Sequence, residues 1–172
     1  IQLLKEASIK KKYFKISENY QKMIYALTII DIINFSSYNN SPCHIIFRLI
    51  IKSLDYINIT NNKNLDYYYI FFIIQLLIYL GYHPILENCY NCNNKIHSAV
   101  FESKLGQLLC AKCSKKTSEI NNETIQLMQI ISKTHIKDLS NINKMSGEHH
   151  KPLLNQLRKA AAAKTKVENI KP

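Results

Sequence analysis

The chain has 172 residues, of which 47% are hydrophobic, with five cysteines, three glycines and a formal net charge of +11. That length and apolar content support one core plus a small satellite module and exclude a disordered tail, while the basic balance points to polyanionic or acidic partners. The sequence holds no phosphate-cradling glycine-rich loop, no Gly-x-Ser-x-Gly elbow and no carboxylate cluster suited to a metal nuclease, so it reads as a non-catalytic protein.

Residues 1–22 carry six lysines against two acids, among them Lys10, Lys11, Lys12 and Lys15. Ser17 is placed to cap a predicted helix running to about Asn34, with Tyr20, Met23, Ile24, Leu27 and Ile30 as its apolar face. Ser36 to Pro42 reads as a loop. Ser41 and Pro42 then start a second helix, with Ile46, Leu49, Ile50, Leu54 and Ile57 as the next stripe. Cys43 in this run is expected to be a small buried hydrophobe. Asn58 to Asn64 breaks the pattern. A third helix, Leu65 to about Leu80, is apolar nearly all round and suits the centre of a bundle. Its run Tyr67–Leu80 contains Gln75 and falls short of the ~20 apolar residues of a membrane span. Tyr67, Tyr68, Tyr69, Phe71 and Phe72 are expected to pack the core and not to stack bases. Gly81 and Pro84 stop this helix.

Next come two close cysteine pairs, Cys89-x2-Cys92 and Cys110-x2-Cys113, with 17 residues between them. Each pair can grip a metal from a tight knuckle, and two knuckles complete a tetrahedron, so Cys89, Cys92, Cys110 and Cys113 are the candidate ligands of one structural Zn2+. Asn93 and Asn94 tolerate the left-handed backbone of a knuckle, Gly106 can bend the chain back, and Ala99–Phe101 with Gln107–Leu109 are the expected ribbon strands. Two disulfides, a redox Cys-x-x-Cys, or His83 or His97 in place of a sulfur are the alternatives. No secretory segment opens the sequence, which fits a reducing compartment such as the cytoplasm or an organellar matrix better than secretion.

Beyond the module, Thr117 or Ser118 is placed to cap a helix from Glu119 to about Lys137, with Ile120, Thr124, Leu127, Met128 and Ile131 on one face. A linker comes next, and Pro152 opens an alanine-rich basic helix that fades near Asn169. His149 and His150 are adjacent, point apart, and form no metal pair. The expected architecture is mainly α: a helical bundle with an inserted small four-cysteine zinc ribbon or knuckle module. Its divisions are a helical domain at 1–86, the zinc module at 87–116, a helix packing back on the bundle at 117–140, and a basic linker and C-terminal helix at 141–172.

Of the 23 basic residues, 21 are lysine. Only Arg48 and Arg158 offer a bidentate fork, so base-specific readout is not expected. The candidate nucleic-acid contacts are Lys10, Lys11, Lys12, Lys15, Lys95, Lys104, Lys112, Lys115 and Lys116. An abundance of Asn, Ile and Tyr, which share AT-rich codons with lysine, supplies a bland origin for the same charge: a solvated surface.

The run Leu80-Gly81-Tyr82-His83-Pro84-Ile85-Leu86, leading into Cys89-x2-Cys92 and closing at Gly106-x3-Cys110-x2-Cys113, resembles the bacterial recombination mediator RecO family over about residues 1–140. The resemblance implies single-strand DNA binding, annealing of complementary strands, contact with single-strand-binding protein, and partnership with RecR in loading RecA. Two features depart from the family pattern. Asn93 stands where a glycine is common, and nothing before Ser17 reads as the strands of the family's OB-fold domain. Since the sequence opens at Ile1 and not at methionine, a fragment lacking an upstream domain is expected. The alternative function is a zinc-stapled structural subunit of a ribosome-like ribonucleoprotein that contacts RNA and protein. A metalloenzyme is a third reading and would need an open coordination position.

Overall fold

A computed structural model describes residues 6, 8–36, 44–102, 104–117 and 120–142. The readings on Ser41, Pro42, Cys43, Ser118, Glu119, His149, His150, Arg158 and the helix opening at Pro152 lie outside the described residues.

The centre of the fold is α4, Leu65–Tyr79, entered through a 3-10 turn at Asn62–Asn64. Its side chains are apolar on nearly every face, and Tyr67 to Ile70, Phe72 to Ile74, Leu76 and Leu77 are all buried. Such a helix is stable only when surrounded. On one flank lies α3, His44–Ile59, which buries Leu49, Leu54 and Ile57 and stacks Tyr56 on Tyr68 with ring centroids 5.5 Å apart. On another lies α2, Tyr20–Ser36, whose Tyr25 meets Tyr69 edge-on at 5.7 Å and hydrogen-bonds Asp66. Burial, aided by that carboxylate, drives the Tyr25 phenol above its ordinary range.

Two expectations fail at α2. The short helix α1, Phe14–Ser17, precedes it, and the Ser17 hydroxyl donates back to the Phe14 carbonyl at 2.8 Å instead of capping α2. The cap is Asn19, whose Oδ1 accepts from the Lys22 N–H at 3.1 Å. The apolar face is also the opposite one. Lys22, Ala26, Ile29 and Ile32 are buried, while Tyr20, Met23, Ile24, Leu27 and Ile30 are exposed. With apolar residues on all sides of α2, hydrophobic period carries no contrast, and a buried lysine lies where the pattern suggested solvent. Lys22 is tolerated there because its ammonium donates to the Asn58 carbonyl at 2.8 Å, near the C-terminal end of α3, where the helix dipole favours a cation. Burial, and then the charge of Lys15, still lowers its pKa. The segment before α2 is tied to α3 as well: Ile16 N–H donates to Asn58 Oδ1 at 3.2 Å and Lys11 pairs with Asp55.

After α4 the chain forms an antiparallel hairpin, β1 Val100–Glu102 and β2 Gln107–Leu109, with Val100 opposite Leu109 and Glu102 opposite Gln107. The first strand begins one residue later than expected, because Ala99 exchanges both backbone hydrogen bonds with Ile120, at 2.9 and 3.0 Å. That pairing keeps Ile120 extended and delays the next helix. A single turn, α5 Ala111–Ser114, closes the module. The helix after it, α6, runs Asn122–Lys133, and Asn121 caps it by accepting from the Thr124 N–H at 2.9 Å, in place of Thr117 or Ser118. Thr124, Ile125, Leu127, Met128 and Ile131 are buried, and α6 packs against α4. It ends four residues short of the expected Lys137 and gives way to a 3-10 stretch, Ile136–Asn141. Among the described residues no helix is long and apolar enough to cross a membrane.

Candidate metal centre

The module is aligned by the turn that ends α4. Gly81 has φ +82°, its N–H donates to the Ile78 carbonyl, and the Tyr82 N–H reaches back to Leu77, both at 2.9 Å. This pair of bonds satisfies the last helical carbonyls and needs a left-handed residue, hence glycine. Tyr82 is thereby laid over the hairpin turn, where Gly106, at φ +65°, has no side chain: a Cβ there would lie 2.4 Å from the ring. Next to it the buried Gln107 side chain donates to Tyr82 O at 2.9 Å and His83 O at 3.3 Å, and accepts from Ile85 N–H at 2.8 Å. The Leu-Gly-Tyr-x-Pro run and the Gly106 turn are two halves of one clasp.

Beyond the clasp the first knuckle turns on Asn93, at φ +58°, whose N–H donates to Cys89 O at 2.8 Å, while Cys89 N–H donates to Asn94 O at 2.9 Å. The second opens at Cys110 and leads into α5, with Cys113 and Ser114 N–H donating to Cys110 O at 3.1 and 3.0 Å. Lys115, at φ +55°, ends that turn.

The hairpin brings all four sulfurs within 4.8 Å of one another. A sulfur tetrahedron around a metal at ~2.3 Å has edges of about 3.8 Å. The Cys92 and Cys110 sulfurs are 3.8 Å apart, and all four cysteines are free thiols. His83 and His97 stand outside the group. Burial alone would push the Cys89 thiol up, but backbone N–H groups of Cys110, Cys92 and Asn91 bring it down to about 6; the Cys110 N–H lies 3.3 Å from its sulfur. Cys113, surrounded first by the Cys110 and Cys92 sulfurs, is pushed up to about 12. Thiols this crowded cannot all ionise without a cation among them. The donor set therefore fits a metal ion.

Residues 17–161 match the family model described as recombination protein O C terminal. The chain belongs to the RecO family. It is 25% identical over 134 residues to the DNA repair protein RecO of Syntrophomonas wolfei, covering 76% of this chain and 52% of that one. The proteins of the same name from Caldicellulosiruptor saccharolyticus and Caldicellulosiruptor bescii are 28% and 27% identical, and the alignments cover 81% of this chain and 57% of each of theirs. The chain thus spans about half the length of the curated relatives it matches. No solved structure matches it.

In this RecO-family chain the nine candidate lysines are all exposed. They differ in what they touch. Lys11 is engaged by Asp55, Lys12 lies over the Phe14 ring at 5.8 Å, and Lys116 is 3.7 Å from Glu102. Sequence reasoning missed a cleft of about 890 Å³ between α3, α4 and the end of α6, lined by Ile45, Phe47, Phe71, Tyr79 and Ile136 together with Arg48, Lys52, Lys133 and His135. Among the described residues no carboxylate lines it. The only sequence signal is Arg48 and Lys52, four residues apart on one helix face. Lys133 also bonds Glu87 at 2.9 Å and holds that carboxyl below its usual range.

Proposed function

We propose that this chain is part of a DNA-repair and recombination mediator that works by binding and not by catalysis, and that its ligands are single-stranded DNA and partner proteins. The family match and the name shared by its relatives, DNA repair protein RecO, support the repair setting. Two features carry the reading: four clustered sulfurs, enough to complete a tetrahedral metal site, and a cleft that Arg48 and Lys52 line and, among the described residues, no carboxylate does. The module offers rigidity and no open coordination position; the cleft offers an apolar seat with the positive charges of Arg48 and Lys52 in its lining. A partner segment bearing acidic and apolar side chains fits that seat. Exposed lysines around the hairpin, Lys95, Lys104, Lys112 and Lys115, suit phosphates without regard to base sequence.

The metal we assign is one structural Zn2+ on Cys89, Cys92, Cys110 and Cys113, since an all-thiolate tetrahedral set selects it over harder cations. When bound, it supplies a folding constraint. Native mass spectrometry should find one zinc per chain. Binding of a labelled oligothymidylate by fluorescence anisotropy, together with a strand-annealing assay, tests the mediator reading. Failure in both assays by zinc-loaded protein would reject it in favour of a scaffold subunit of a ribonucleoprotein.

A further inference from the structure

The four sulfurs of the metal centre are not equally protected. Cys89 is fully buried, its sulfur takes the Cys110 N–H at 3.3 Å, and its own N–H and carbonyl are tied to Asn94 and Asn93. Cys110 and Cys113 are half-buried where the second knuckle leads into α5. Of the four, Cys92 is the exposed one, and Asn91, Asn93, Asn94 and Lys95 around it are exposed too. An oxidant therefore meets Cys92 first, because oxidation of a thiolate follows its access to solvent. A second sulfur is already in reach. Cys110, on the other knuckle, holds its sulfur 3.8 Å away, so closing to the ~2.05 Å of a disulfide takes a shift of under about 2 Å shared between two turns.

Building on the zinc assignment proposed above, we infer that Cys92 is the oxidation site of this module and Cys110 its resolving partner, so that a hydroperoxide converts the metal centre into a Cys92–Cys110 disulfide. The Cys92 thiolate attacks the hydroxyl oxygen of the hydroperoxide; the O–O bond breaks, a sulfenic acid forms on Cys92, and an alkoxide, or hydroxide from hydrogen peroxide, departs. The Cys110 thiolate then attacks the Cys92 sulfur and expels hydroxide as the S–S bond closes. Two thiolates give up two electrons in all, and the peroxide, once protonated, ends as an alcohol and water or as two waters. Cys89 and Cys113 are then the remaining ligands, too few to hold the cation against solvent. A dithiol reverses the change by attacking the bridge and leaving as its own cyclic disulfide.

Treating the zinc-loaded chain with hydrogen peroxide tests this, with released zinc followed by a colorimetric chelator and bridges mapped by mass spectrometry. Chymotrypsin cuts after Tyr90 and trypsin after Lys112, so each of the four cysteines falls on its own peptide. We expect zinc loss in step with a Cys92–Cys110 bridge, and full zinc uptake again after dithiothreitol. Cys92→His keeps four ligands of kinds that zinc accepts, and it should slow peroxide-driven zinc loss at least about fivefold while native mass spectrometry still finds one zinc bound. The bridge mapped in the parent chain decides the matter even if that variant folds poorly. A first bridge between any other two cysteines, zinc that stays bound under peroxide, or an unchanged rate in zinc-loaded Cys92→His overturns the inference and leaves the zinc assignment standing. A parent chain that carries no zinc before treatment overturns both.

Discussion

Gly106 satisfies two constraints with one missing atom. Its φ of +65° disfavours any side chain, and the space a Cβ would take is filled by the Tyr82 ring. Gly106→Ala should therefore cost about 1–3 kcal/mol, through backbone strain and displacement of the ring. Urea denaturation checks this, and an unchanged midpoint would mean the clasp is not rigid. The cysteines make a second residue-scale prediction. Cys113 keeps its proton until about 12 when no cation is present, whereas Cys89 sheds its own near 6. Coordination needs both as thiolates, so metal binding at pH 7 must expel protons, and lowering the pH must weaken it. Without metal the two thiols act in opposite directions. Between about pH 6 and 9 the unfolded chain retains a proton the folded Cys89 has lost, so stability rises with pH there. Between about pH 9 and 12 the folded Cys113 holds a proton the unfolded chain has lost, so stability falls. Zinc titrated calorimetrically at pH 7 in two buffers of different ionisation enthalpy should give different heats; equal heats would rule out the thiolate site.

At the scale of elements, hydrophobic period succeeded where a helix has two unlike faces. On α6 the residues Thr124, Leu127, Met128 and Ile131 were legible as the buried side because polar residues alternate with them at the helical spacing. On α2 the same reasoning selected the outer face, since Ile, Leu, Met and Tyr occur around the whole circumference and only tertiary packing distinguishes them. The caps moved for a related reason. Ser17 and Ser118 are acceptable cap residues by type, yet Asn19 and Asn121 stand where the chain turns into the helix, and the Ala99–Ile120 pairing that delays α6 links residues far apart in sequence. The face assignment has a direct energetic consequence. Ile29→Ala should cost about 2–5 kcal/mol, as for a fully buried side chain, and Leu27→Ala should stay within about 0.5 kcal/mol. If chemical denaturation gives the reverse order, α2 turns its Leu27 face, and not its Ile29 face, to the core.

For the whole molecule, the four sulfurs were legible because Cys-x2-Cys spacing is local, whereas the cleft was not. Its walls come from residues 45–52, 71–79 and 133–136, and nothing in a linear reading brings Arg48 beside Lys133. Charge was legible only as a total. The structure divides the candidate lysines into those engaged by a neighbour, Lys11 with Asp55 and Lys116 near Glu102, and Lys95, Lys104, Lys112 and Lys115, which have no ion pair among the described residues. An engaged lysine must break its pair to reach a phosphate, so it contributes less counterion release. Each phosphate contact on a single strand adds about 0.7 to the slope of log affinity against log salt. Replacing Lys95, Lys104, Lys112 and Lys115 together by glutamine should therefore lower the slope for oligothymidylate by up to about 3, with less than about 1 lost for Lys11→Gln and Lys116→Gln combined. Anisotropy titrations at several salt concentrations measure both. An equal loss from the two sets would show that pairing does not sort these lysines, and no loss from either would place the nucleic-acid surface away from the hairpin.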